Sequence, residues 1–373
     1  MIALRVASVV VGVFVVSATF ASAVRTVILP RGVPARITRA VFVALRGVFS
    51  LRARPSAPFE RRDRILALYG PIGLLLLLVV WITLVLFGYT LIYWGIEGDS
   101  LGEAFRISGS SLLTLGFLEP EDLTAVVVAF TEAAMGLILL AMLITYLPSI
   151  YAAFSRREAL VTSLEVRAGS PPSGVHLVRF FFVMEQLDRL SDFWKRWEAW
   201  FADVEESHTS FPSLSFFRSP QPEHSWITAA GSVLDGASLM SAAVDVPREA
   251  HAEFAIRAGY LALQRICDFY AIPYPIDPHY PEEQISVARE EFDEAWDYLA
   301  AEGVPMKADR ERAWLDFAGW RVNYDTVLLE LAAFVTAPLA PWISDRGIRA
   351  WRPPIFRVGK GRPVRQSPQS RSS

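Results

Sequence analysis

The chain has 373 residues, 53% of them hydrophobic, and a mean hydropathy of +0.32, a balance too apolar for a protein that is wholly water-exposed. Net charge is only −3, which gives no strongly basic or acidic character to the chain as a whole. The one cysteine, Cys267, excludes an intrachain disulfide, a thiolate zinc cluster and a CxxC redox site.

Charge is distributed in blocks. Residues 1–64 carry eleven arginines against Glu60 and Asp63, about +9, and residues 65–155 carry seven acids against Arg106, about −6. From Arg156 to Ser344 acids outnumber bases 29 to 16, and residues 346–373 add eight bases.

Three apolar stretches have the length of a bilayer span, roughly 20 residues: Val6–Val24, Leu66–Ile96 and Leu123–Leu147. The first has a rival reading, because Ala21-Ser22-Ala23 resembles a signal-peptidase site after a short apolar core. Cleavage there puts the arginines of residues 25–64, and Arg156 and Arg157, on the outer side, against the positive-inside tendency. An uncleaved first span keeps them all in the cytoplasm. The expectation is a multi-pass protein of the cell membrane, with the N-terminus outside and everything after Phe154 cytoplasmic. Between the first two spans, Val33–Leu51 sets Arg36, Arg39 and Arg46 on one helical face. Two readings stay open: a helix on the inner leaflet touching anionic lipid, or a linker whose arginines only fix topology.

The 26 residues between the second and third spans are not patterned as a plain loop. Ser100–Leu113 predicts a short amphipathic helix with Ser100 and Glu103 as a capping box. Thr114-Leu115-Gly116-Phe117 follows at once, then Glu119-Pro120-Glu121-Asp122, and then the third span. This order resembles the pore domain of the potassium-channel superfamily, in its two-transmembrane, single-pore-loop form. Thr114, Leu115, Gly116 and Phe117 fall where that family has its Thr-Val-Gly-Tyr filter, Glu119 where an Asp follows it, and Ser111 where an upstream hydroxyl residue stands. Two departures accompany the match. Leu118 replaces the second filter glycine, and Arg106 and Ile107 stand where the family often has an aromatic pair.

The resemblance implies a re-entrant pore helix and a homotetramer, since one loop per chain cannot enclose an axial filter. It implies a permeant monovalent cation, potassium first, and no other cofactor. Backbone carbonyls replace the hydration of the ion, a use of non-helical chain that the membrane tolerates only where it lines water or protein. The alternative is a non-conducting membrane sensor or scaffold that keeps the fold.

Around this segment, Glu132 lies about nine residues into an apolar span, where a carboxylate needs water or a partner. It is expected either to reach Ser110 or Ser111 behind the filter, to line the cavity below it, or to sit protonated at a subunit contact. Gly136 serves as a hinge or as a close helix contact, and Pro148 is expected to kink or end the span. Both are candidate gate positions.

Past the linker at 170–174 the chain reads as helices: an aromatic stripe from Leu177 through Met184, Leu187 and Trp200 to Val204, then Ser225–Val244, Arg248–Ala271, Glu282–Ala301 and Ala308–Val335. Ser225–Val246 is long and apolar, but its Ser and Gly content favours a buried helix over a fourth span. With no alternating strand pattern, the fold class is all-α. No enzyme is expected, because HExxH, a Gly-rich phosphate loop and a nucleophile elbow are all missing. Glu205, Glu206, His208, His224, Glu249, His251 and Glu253 are metal-ligand residue types, but scattered through helices they read as capping or surface groups. The basic tail from Arg346 reads as disordered and solvated, and no nucleic-acid partner is expected.

Overall fold

The computed structural model describes residues 2–29, 36–52, 59–97, 100–120, 122–185 and 190–345; Asp99, Glu121, Val33, Leu187 and the basic tail lie outside these. The chain divides into two compact units, Met1–Ala152 and Ala153–Ser373. Among the described residues the elements are helical, apart from one isolated antiparallel bridge between Val244 and Met306.

Three helices are long and apolar enough to cross a membrane: α1 (Ile2–Val27) and α4 (Tyr69–Glu97, continuous in hydropathy with the short α3, Phe59–Ala67) of the first unit, and α6 (Leu123–Ala168), which belongs to that unit up to Ala152. Small residues let α1 lie close along α4. A Cβ on Gly12 would stand 2.5 Å from the Gly88 carbonyl oxygen, and one on Gly95 would stand 2.8 Å from that of Arg5. The Ser8 hydroxyl donates to the Leu91 carbonyl at 3.1 Å. Close backbone approach through glycine, with a hydroxyl as bridge, is the packing chemistry available where lipid removes the hydrophobic drive.

Helix α2 (Arg36–Arg52) turns Val41, Phe42 and Leu45 inward. The Phe42 ring fills the space that Gly73 leaves open, and the Tyr69 hydroxyl donates to the Phe42 carbonyl at 3.0 Å. Helix α6 continues through Pro148 for 46 residues, about 69 Å at 1.5 Å per residue, so the proline does not end it. Proline removes one ladder N–H, and Ser and Thr hydroxyls help to satisfy freed carbonyls. Beside it, the Thr145 hydroxyl donates to the Ala141 and Met142 carbonyls and the Ser149 hydroxyl to that of Thr145, while the carbonyl that Pro148 frees is that of Ile144.

The second unit is built around α9 (Trp226–Ala243), which is buried at seventeen positions. Gly174, opening α7 (Gly174–Val183), meets Gly236 so closely that a Cβ would stand 2.6 Å from the Gly236 nitrogen. Phe193, Trp194, Trp197, Trp200 and Phe201 of α8 (Leu190–Ser210) stack edge to face into the same core. Helices α10 (Ala250–Tyr270), α11 (Arg289–Ala301), α12 (Arg310–Arg321) and α13 (Asp325–Val335) complete it.

Three predicted segments are cut shorter. The aromatic stripe divides between α7 and α8, and Ala308–Val335 divides at residues 322–324. Glu282–Ala301 begins as a helix only at Arg289, because Ser286 is drawn to Asp325 by its N–H at 3.0 Å and its hydroxyl at 2.6 Å. Arg321 organises that region. It pairs with Asp235 on α9, bonds Asp325 at 2.7 Å and the Trp342 carbonyl at 2.6 Å, while the Tyr324 hydroxyl reaches Asp235 at 2.9 Å. Burial disfavours the Arg321 charge, but the two carboxylates outweigh it and hold the guanidinium protonated.

Candidate functional site: the α5 loop

Helix α5 (Leu101–Leu112) starts where expected, with the Ser100 hydroxyl accepting the Glu103 N–H at 3.1 Å. Its end is a tight return. The Ser110 carbonyl accepts the Leu115 N–H at 2.8 Å, and the Ser111 carbonyl accepts that of Thr114 at 3.1 Å. Thr114 has φ 53° and Gly116 φ 68°, so alternate residues of the loop occupy the left-handed region. Glycine does so at no steric cost; a β-branched threonine does so only where its surroundings enforce it. Ser110 supplies part of that enforcement. Its hydroxyl accepts the Leu118 N–H at 3.1 Å and donates to the Leu118 carbonyl at 3.0 Å, closing the loop back onto the helix. Thr114, Leu115, Gly116, Phe117 and Glu119 are exposed in the single chain.

Behind the loop, Glu132 is fully buried and uses both carboxylate oxygens. Oε1 accepts the Ser108 hydroxyl at 2.5 Å, and Oε2 accepts the Tyr93 hydroxyl at 3.0 Å. Glu132 therefore bonds neither Ser110, which serves Leu118, nor Ser111; Ser108 and Tyr93 are the partners that sequence reasoning missed. The signal lay in helical spacing. Ser108 and Leu112 share one face of α5, Glu132 and Gly136 share one face of α6, and the two faces meet. A Cβ on Gly136 would stand 2.5 Å from the Leu112 carbonyl oxygen, so the structure places this glycine at a backbone contact. Pro148 lies exposed, three turns further along α6.

The last turns of α6, in the second unit, are fixed by a wholly buried arginine. Arg157 donates to Glu158 at 2.8 Å and to the carbonyls of Leu214 at 3.0 Å and Phe217 at 2.7 Å, and meets His208 Nε2 at 3.2 Å. His208 Nδ1 lies 2.9 Å from the Val204 carbonyl, which assigns the proton to Nδ1 and leaves Nε2 to accept from Arg157. Burial, followed by the Arg157 charge, holds the His208 imidazole well below its ordinary 6.5. The other metal-ligand residue types are dispersed: Glu205 pairs with Arg265, Glu253 with Arg248, and His224 lies 3.3 Å from Glu165. Among the described residues no three His, Cys, Asp or Glu side chains gather into a metal-holding group.

Three long apolar helices, glycine-mediated packing and a carboxylate buried among them define an integral membrane protein. The chain is similar to the protein described as uncharacterized membrane protein YdjJ of Bacillus subtilis (strain 168), with 27% identity over 186 residues, 47% of this chain and 53% of that one. It thus spans about half the length of the curated relative it matches. No protein-family profile and no solved structure matches the chain.

Proposed function

We propose that the chain forms a homotetrameric channel for a monovalent cation, with potassium the first candidate, and that ions pass the loop Thr114-Leu115-Gly116-Phe117. The observation that carries this reading is the pair of left-handed residues, Thr114 and Gly116, in a loop pinned at the end of a short helix between two spans. Alternating backbone handedness brings successive carbonyls toward one side of a strand, the arrangement a dehydrated cation requires. Glu119 beside the loop attracts cations to its mouth. In this reading α5 is re-entrant, the N-terminus is outside, the second unit is cytoplasmic, and the arginines of α2 rest on anionic lipid.

One observation favours a second reading, a non-conducting scaffold. The Leu118 carbonyl, next in line after the loop, is already bonded to Ser110 rather than open to an ion. Purified protein in planar bilayers separates the two. Channel function predicts cation currents that vanish in Gly116→Ala: a Cβ there meets nothing within 4 Å, so the loss would come from the unfavourable φ of 68° and not from a clash. Silence of the wild type across voltage, pH and divalent-ion conditions would leave the scaffold.

A further inference from the structure

We propose that the cleft between α9, α10 and α12 of the second unit binds an amphipathic zwitterion, an amino acid or dipeptide carrying a carboxylate and an ammonium group. The cleft has a volume of about 540 Å³, within the range of roughly 300–1,000 Å³ typical of small-molecule sites. Met240 and Ala252 give it an apolar floor, and Leu315 and Trp320 an apolar wall. At Gly319 the wall is open, since an added Cβ meets nothing within 4 Å.

The charges around this apolar surface select the ligand. Two of the lining acids are already neutralised: Glu253 holds Arg248 through two bonds of 2.7 and 2.6 Å, and Asp316 holds Arg312 at 3.0 Å. Lys307 and Glu249 are engaged by backbone only. The Lys307 ammonium donates to the Ser241 carbonyl at 2.8 Å, leaving two of its three donors, and one Glu249 oxygen accepts the His251 N–H at 3.1 Å. Both are held by rigid structure. Lys307 follows the Val244–Met306 bridge and donates its N–H to the Ala243 carbonyl at 2.9 Å, and Glu249 caps α10.

With Arg248, Glu253 and Asp316 already paired, a polyanion entering here meets Glu249 and a polycation meets Lys307. A ligand with one charge of each sign answers both. Its carboxylate goes to Lys307, its ammonium to Glu249, and its side chain to Trp320 and Leu315. The site stands apart from conduction through the α5 loop, because occupancy is read as binding and not as current.

Titration calorimetry on the full chain in detergent, with phenylalanine and leucylphenylalanine as probes, tests this. The controls are 3-phenylpropionate, which lacks the ammonium, and phenethylamine, which lacks the carboxylate. At least one zwitterion is expected to bind saturably, with each control at least about tenfold weaker, the discrimination one lost charge-assisted hydrogen bond gives. Gly319→Leu starts from open space at Cβ and puts a side chain into the cleft, and it is expected to abolish binding without lowering thermal stability. Lys307→Gln is the second variant, which removes the charge and leaves a polar side chain one atom shorter, and it is expected to weaken binding about tenfold. No saturable binding by either zwitterion, equal binding of the controls, or binding indifferent to both variants would overturn the proposal.

Discussion

Glu132 shows what a single carboxylate does when it is buried in an apolar unit with both oxygens committed. It ties Tyr93 of α4 and Ser108 of α5 to α6, so its loss is felt by three helices. Glu132→Leu leaves the Tyr93 hydroxyl without its acceptor and is expected to cost about 1–3 kcal/mol. Glu132→Gln keeps an acceptor in place and is expected to cost less. Thermal unfolding of the purified variants in one detergent checks the order. His208 gives a pH dependence whose sign is fixed. Its folded pKa lies well below 6.5, so below that pH the unfolded chain takes up a proton that the folded chain refuses. Stability from this group is complete at pH 7 and falls as pH drops below 6.5, by up to about 1.4 kcal/mol per pH unit. The denaturation midpoint of His208→Gln is expected to change less between pH 7 and pH 5.5 than that of the wild type; parallel curves would contradict the assignment.

At the scale of elements, what was legible in the sequence was local. The start of α5 could be read from Ser100 and Glu103, and the three long helices from apolar length alone. What was not legible depended on partners distant in sequence. Residues 322–324 carry no proline or glycine, yet the chain turns there, and the turn lets Arg321, Tyr324 and Asp325 converge beside Asp235 on α9. Ser286 likewise leaves helical conformation for Asp325. Within the candidate site the loop was visible as a motif, whereas Ser108 and Tyr93 required knowing which faces of α4, α5 and α6 meet. Helix α6 adds a prediction of its own, since Arg157 fixes its last turns. Arg157→Met strips the buried Glu158, His208 and two carbonyls of their donor at once, and is expected to cost about 3–5 kcal/mol. Chemical denaturation followed by the tryptophans of α8, which pack beside it, reports the loss directly.

For the molecule as a whole, the blockwise charge and the docking of α5 on α6 make separate demands. A loop donated singly by each chain is useful only if copies share an axis, so the channel and scaffold readings both require self-association; a strictly monomeric particle in detergent, measured by light scattering, would remove both. Gly136→Leu probes the same assembly from within. Its side chain would start 2.5 Å from the backbone oxygen of Leu112, which cannot swing aside as a flexible side chain can, so α5 must move away from α6. If the loop at 114–117 is held at a common axis by that contact, Gly136→Leu is expected to lose current together with the tetrameric particle, whereas Gly116→Ala loses current and keeps it. Orientation is tested independently of either variant. The proposed orientation, with the N-terminus outside, rests on the ten arginines of residues 25–64, which the positive-inside tendency assigns to the cytoplasm. A protease site appended to the N-terminus should therefore be cut on intact cells, while one at the C-terminus stays protected until the cells are lysed; the reverse pattern would put Glu119 on the cytoplasmic side and remove its role at an outer pore mouth.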